Sequence, residues 1–388
     1  MSSTFSAKAE VNQSFSKADP SQLKVRETNP HSDPRWESFV MQHSAATVYH
    51  HPAWLATLER EYRQSSVYLV CEDTADVLHG IFPMMLTGGV PFRKRHPLMG
   101  RRLVSLPRTP LGGPLTTGIC ATELLLKEAV RRVSETPGIY LQIKSEEGHL
   151  GGLVDGVVAK PWRLAYRLHL SNQSNEPFRV ANNKTWSGIK RAINKATANG
   201  LRVRQADTLD DLAVWYRCYL ETMRRTVVPA RPYRFFLALW EYMRPKGMMR
   251  LLLAEQETAR GARIVGGFIF FYLGQTATYA FGASRTSDLE FRPNDMILLQ
   301  AITDAQRDGF RVVDLGEVPE GDEGLVRFKV KWGAEPERLC RYYYPDFQDD
   351  TLAADRSRSR FMEVAERLWQ RLPLGMTSWI GDRIYSRL

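Results

Sequence analysis

The stretch Val312-Val-Asp-Leu-Gly-Glu-Val-Pro-Glu-Gly-Asp-Glu-Gly-Leu-Val-Arg-Phe-Lys-Val-Lys-Trp-Gly333 carries the most information in this chain. Phe310, Val312, Val313 and Leu315 are apolar and predict a buried strand, and Gly316 permits a sharp turn at its end. A loop with four acids follows (Glu317, Glu320, Asp322, Glu323), then a short segment in which Arg327, Lys329 and Lys331 stand beside Phe328 and Trp332. Polar groups gathered at the end of a strand face a cleft more readily than a core. The competing reading is a solvated loop whose acids and bases pair in water, where each pair is worth little.

Outward from this stretch, the chain reads as the same plan twice. In the first half, Leu69-Val-Cys-Glu, a polar turn and Leu78-His-Gly-Ile-Phe-Pro-Met predict two paired strands. In the second half, Leu252-Leu-Ala-Glu, a polar turn and Ile264-Val-Gly-Gly-Phe-Ile-Phe repeat that pattern. Each second strand holds an internal glycine, which marks a bulge or a close approach. A basic helix over 186–199 ends at Asn199-Gly200, and another helix runs from Asp295 to Asp308 into the opening stretch.

The series Gly309, Phe310, Val313-Asp-Leu-Gly316, Gly324-Leu-Val-Arg-Phe-Lys329 and Lys331-Trp-Gly333 resembles the C-terminal motif of the FemAB-like transferases. These form a branch of the GNAT acyltransferase superfamily that includes the BioF2-like or CelD-like proteins, and the resemblance runs back to about Pro52. It implies an α/β fold of tandem GNAT-like domains, with mixed, mainly antiparallel sheets, flanking helices and an acceptor site between the domains. The expected division is a disordered tail (1–30), a first GNAT-like domain (31–175), a second carrying the active-site motif (176–348) and a basic amphipathic tail (349–388). It also implies active-site roles for Phe328 and Lys329.

A lysine flanked by apolar neighbours suits stabilisation of charge developing on a carbonyl oxygen, and Glu317 is placed to accept a proton from the attacking group. Snorkelling over apolar surface is the plain alternative for Lys329. Lys331 and Trp332 beside it are candidates for substrate binding. Tyr279 and Ser284 fall on the strand where GNAT folds present the acyl donor, although a core role suits Tyr279 equally. In Arg292-Pro-Asn-Asp295 a helix opens, with Asn294 as the expected N-cap and Arg292 beside free N–H groups that suit an anion. Tyr216, Tyr219, Arg224 and Arg225 suit a sugar-bearing anionic acceptor, or else form a solvated helix end.

GNAT enzymes cradle the pyrophosphate of coenzyme A with a glycine-rich turn, but Asp288-Leu-Glu-Phe-Arg-Pro-Asn-Asp295 has no glycine. Acetyl-CoA or another acyl-CoA therefore competes with aminoacyl-tRNA as donor. Against tRNA stands the absence of an inserted helical hairpin between 186 and 344.

Composition sets the outer bounds. With 388 residues, 43% hydrophobic, and nine tryptophans, two cores are affordable; a net charge of +10 favours anionic partners. Four scattered cysteines and no run of about 18 apolar residues predict a cytoplasmic protein, peripheral at most at the inner face of the membrane. No metal-ligand spacing or nucleophile elbow occurs. The C-terminal segment sets Phe361, Val364, Ala365, Leu368 and Leu372 at helical spacing among arginines, followed by Trp379. Such a tail packs on the body or lies on an anionic bilayer. The expected activity is acyl transfer to an envelope precursor or exopolysaccharide, with a non-catalytic scaffold for such a complex as the alternative.

Overall fold

The computed structural model describes residues 20–88, 100–171, 177–259, 261–346 and 360–385. Most of the expected N-terminal tail lies outside them.

The first module runs β1 (Lys24–Glu27), α1 (Pro34–Gln42), α2 (Pro52–Tyr62), β2 (Ser66–Glu72), β3 (Leu78–Thr87), β4 (Arg101–Val104), the two-residue β5 (Leu115–Thr116), α3 (Ile119–Ser134) and β6 (Ile139–Glu146). After β7 (Val158–His169) and α4 (Asn183–Ala198), the second module repeats it. Its elements are β8 (Leu201–Gln205), α5 (Leu209–Arg225), α6 (Tyr233–Tyr242), β9 (Met249–Gln256), β10 (Arg263–Leu273), β11 (Thr276–Ser284), α7 (Pro293–Arg307) and β12 (Val312–Val318). Along the sheet each module has three antiparallel pairings and closes on a parallel one, β4 with β6 and β11 with β12, while β5 pairs with β3 off this path. α8 (Glu323–Val330), β13 (Glu335–Tyr344), α9 (Arg360–Arg371) and α10 (Leu374–Tyr385) complete the chain.

The modules share one sheet, in the order β1-β2-β3-β4-β6-β13-β7-β12-β11-β10-β9-β8. That corrects the expectation of separate sheets, because the last strands are exchanged. β7, from the first part of the chain, pairs with β12 of the second module, and β13 returns to pair with β6 of the first. β7 and β13 also pair with each other, so the internal repeat persists across a central seam. β1 corrects a second expectation. Lys24–Glu27 forms an edge strand on β2, although this segment was read as part of a disordered tail.

Local chemistry explains the boundaries. Thr208 and Asp211 form a reciprocal cap that starts α5, and Gly200, at φ +71, ends α4. The internal glycines mark register shifts in both modules, at Cys71/Glu72 opposite Gly80 and at Ile264/Gly266. A Cβ on Gly267 would lie 2.8 Å from the Trp215 side chain, so the glycine lets helix and sheet approach closely. Trp54 of α2 meets Phe235 of α6 and Phe271 of β10 edge-on, at 6.0 and 5.5 Å, which welds the modules through a buried aromatic layer.

The C-terminal helices dock on α5 and α6. Tyr216 bonds Ser378 (3.2 Å), Arg224 donates to the Leu372 carbonyl (3.1 Å), Arg234 pairs with Asp382, and Thr377 is fully buried. Gly381 rests so closely on the Ala230 backbone that no Cβ fits there.

Candidate active site

The strand β12 and the helix α8 build the centre. Leu315 buries the strand, Gly316 turns it at φ +77, and Asp322 caps α8 by accepting the Leu325 N–H at 2.9 Å. The helix then directs Lys329 inward, where it is 2% exposed. Its ammonium donates to the carbonyls of Gly316 (2.8 Å) and Glu317 (3.1 Å). Burial lowers its pKa to about 8, opposed by the nearby carboxylates of Asp314, Glu317 and Asp322. Asp314 accepts the Gly316 N–H at 2.7 Å, and burial raises its pKa despite the attraction of Arg167. The Glu317 carboxylate is held from two sides, by Arg163 at 2.6 Å and by the indole N–H of Trp162 at 3.2 Å.

Lys329, Glu317 and Tyr279 line one cavity of about 280 Å³ at the seam, with Tyr49 and Asp314. Glu317 also lines a neighbouring cavity of about 440 Å³, which is cationic: Arg102, Arg108, Lys144, Arg163, Arg231 and Arg341 surround it. Arg231 is itself anchored by Glu61 at 2.9 Å, and both are buried.

The remaining predicted residues lie elsewhere. Phe328 is half-buried against the second module's core, with the Lys331 ammonium 5.1 Å from its ring. Lys331 is paired with Asp295, and Trp332 is fully buried with its ring stacked on Phe178. Tyr216 and Tyr219 are core residues whose hydroxyls bind the Arg231 backbone, the first donating to its carbonyl and the second accepting from its N–H. Arg224 holds the C-terminal helices, and Arg225 donates to Thr286. Ser284 is buried and donates to Asn294. Asn294 is not the cap: α7 starts at Pro293, and Arg292, at φ +62, takes the N-cap position. The proline, with φ preset and no N–H, fixes the first helical position.

The turn before α7 does not fit the pyrophosphate of coenzyme A. It lacks glycine, and its carboxylates Asp288 and Asp295 are buried and already hold Arg263 and Lys331. Without glycine the backbone there cannot approach a pyrophosphate closely.

Sequence reading passed over Asp314, Arg102, Lys144 and Arg341. A signal existed in Leu141-Gln-Ile-Lys144, where polar residues alternate with apolar ones and so share the face opposite the core.

Two similar βααβββαβ modules thus meet at a polar seam. Residues 183–330 match the acetyltransferase (GNAT) domain family. The fold is shared with FemX, at 13% identity and a TM-score of 0.62 over 86% of this chain and 99% of that one. It is shared too with L-PGS from Bacillus licheniformis, at 14% identity and 0.54 over 88% and 98%. The C-terminal domain of a putative lysylphosphatidylglycerol synthetase from Agrobacterium fabrum aligns at 11% and 0.56 over 83% and 94%. No curated protein matches in sequence. Over residues 183–330 the chain thus matches a GNAT acetyltransferase domain, and its fold as a whole is shared with FemX.

Proposed function

We propose that the protein transfers an activated acyl group to an amine or hydroxyl of an anionic cell-envelope or exopolysaccharide precursor. The observation that carries this reading is a buried ammonium, Lys329, in a seam cavity beside Glu317 and next to a cation-lined cavity. The acceptor nitrogen or oxygen attacks the donor carbonyl, its proton passes to the Glu317 carboxylate, and the donor's leaving group departs with the bonding electron pair. Lys329 stabilises the negative charge that gathers on the carbonyl oxygen and holds the β12 turn in place.

GNAT folds generally use acyl-CoA, yet the acidic turn before α7 favours a donor without a pyrophosphate there, and aminoacyl-tRNA is the second reading. Thermal shift with coenzyme A derivatives and with charged tRNA separates them. Stabilisation by charged tRNA alone supports the tRNA donor, and stabilisation by coenzyme A derivatives alone overturns it.

For the C-terminal helices, we propose that their outward side rests on an anionic membrane. Leu368, Met376 and Trp379 are exposed there, and Arg383 lies 5.3 Å from the Trp379 ring. Among the described residues no helix is long and apolar enough to cross a membrane.

A further inference from the structure

Among the described residues, three cations around the cavity, Arg102, Lys144 and Arg341, form no salt bridge. Arg341 of β13 lies directly opposite Lys144 of β6 in an antiparallel pair, a cross-strand match of like charges that destabilises a sheet. Arg102 of β4 joins them, its Nη1 3.5 Å from Gln142 Oε1 in the neighbouring strand. Lys144 is 5% exposed, and its ammonium has the Leu106 carbonyl as acceptor at 2.6 Å. Among the described residues the buried Nε groups of Arg102 and Arg341 meet no acceptor. The Arg341 guanidinium lies 3.3 Å from the centre of the Trp162 ring and also interacts with the Tyr343 hydroxyl. Of the other cations around the cavity, Arg163 holds Glu317 and Arg231 holds Glu61. Among the described residues Glu317 is the only carboxylate lining the cavity.

Burial lowers the pKa of Arg102, Arg341 and Lys144; repulsion from Arg341 adds to it at Arg102 and Lys144, whereas Tyr343 and Glu317 oppose it at Arg341. Buried donors left without acceptors cost folding free energy. Their arrangement on one face of three adjacent strands is therefore explained by a ligand that brings the missing charge. Planar guanidinium groups and an ammonium converging on one cavity of about 440 Å³ match the several oxygens of a diphosphate.

We propose that Arg102, Lys144 and Arg341 form a diphosphate-binding subsite, which holds the substrate by its diphosphate while its reacting end extends past Glu317 toward Lys329. The extension past Glu317 rests on the acyl-transfer reading; the subsite itself does not.

The test is calorimetric titration of the full chain with inorganic pyrophosphate, followed by competition with UDP-N-acetylglucosamine, farnesyl diphosphate and coenzyme A. Pyrophosphate should bind, and Arg102→Gln and Arg341→Gln should each weaken it at least about tenfold. Displacement by UDP-N-acetylglucosamine, by farnesyl diphosphate or by coenzyme A assigns the diphosphate to a nucleotide, a lipid or the donor respectively. Without ligand, Arg102→Gln should melt no lower than the wild type, since it removes a charge that Arg341 repels. Variants that melt lower and bind pyrophosphate as the wild type does would make these arginines structural and overturn the subsite. If a variant fails to fold, pyrophosphate-induced stabilisation of the wild type that vanishes in Lys144→Met serves in its place. No pyrophosphate binding by the wild type overturns the proposal outright. Binding without any acyl transfer would sink only the acyl-transfer reading, and transfer without binding only the subsite.

Discussion

Lys329 is the residue on which the proposed chemistry turns, and its burial makes it testable by pH. Its folded pKa of about 8 lies below the ordinary lysine value of 10.5, so the ammonium is lost as pH rises through about 8. Turnover should fall over that range, and a pH profile of kcat/KM that stays flat from pH 7 to 9.5 would contradict the role. The linkage to stability runs the other way. Between about pH 8 and 10.5 the unfolded lysine holds a proton that the folded one has released, so this group's contribution to stability rises with pH there. Glu317→Gln keeps the contacts to Trp162 and the shape but cannot accept a proton; it should lower kcat by about 10²–10⁴-fold with KM little changed. Unaltered kcat would remove Glu317 from the mechanism. That Lys329 and Glu317 share a cavity was legible, because they lie in one short stretch. The sequence hid Asp314, whose burial depends on Arg167 and on strands brought in from elsewhere in the chain. Trp332 and Tyr216 were misplaced for the reverse reason: an aromatic beside charges looks like a binding residue until its packing is seen.

At the level of elements, the modules are pinned where α2 meets the segment between α5 and α6. Glu61 of α2 and Arg231 are buried together, and Arg231 also donates to the Arg108 carbonyl at 2.7 Å. Burial raises the Glu61 pKa against the pull of Arg231, so the carboxylate depends on its partner. Arg231→Met should cost about 3–5 kcal/mol in urea denaturation, because it strands a buried carboxylate. The double variant Glu61→Leu/Arg231→Met should regain most of that. A double variant no more stable than the single one would show that the two residues do not act as a pair. Helices and strands were well predicted wherever periodicity was strong, as in α5, α7, β9 and β10. α8 was not, since eight residues with two glycines nearby show too little periodicity, and its cap at Asp322 is recognisable only in three dimensions.

The whole molecule is interleaved rather than strung together. β7 completes the second module and β13 the first, so neither half contains its own full sheet. Residues 1–175 and 176–388 expressed separately should be insoluble, and co-expressed they should assemble. A folded, monomeric 176–388 fragment would contradict this. The repeat was visible in the sequence, because matching strand pairs carry matching glycines; the exchange was not, because nothing local tells a strand which module it will join. The docked C-terminal helices bury Thr377 and cover Tyr216, so truncation after Asp349 should lower the melting temperature and abolish sedimentation with anionic vesicles. Vesicle binding that survives truncation would refute the membrane role. The central claim, acyl transfer at the seam, meets its most direct test in a transfer assay with radiolabelled acetyl-CoA and aminoacyl-tRNA as donors and nucleotide- and lipid-linked precursors as acceptors, comparing wild type with Lys329→Ala. The account predicts labelled acceptor from the wild type, and a loss of about 10²–10³-fold in the variant with its fold intact by circular dichroism. Equal labelling by both proteins, or none by a folded wild type with any donor, would contradict it.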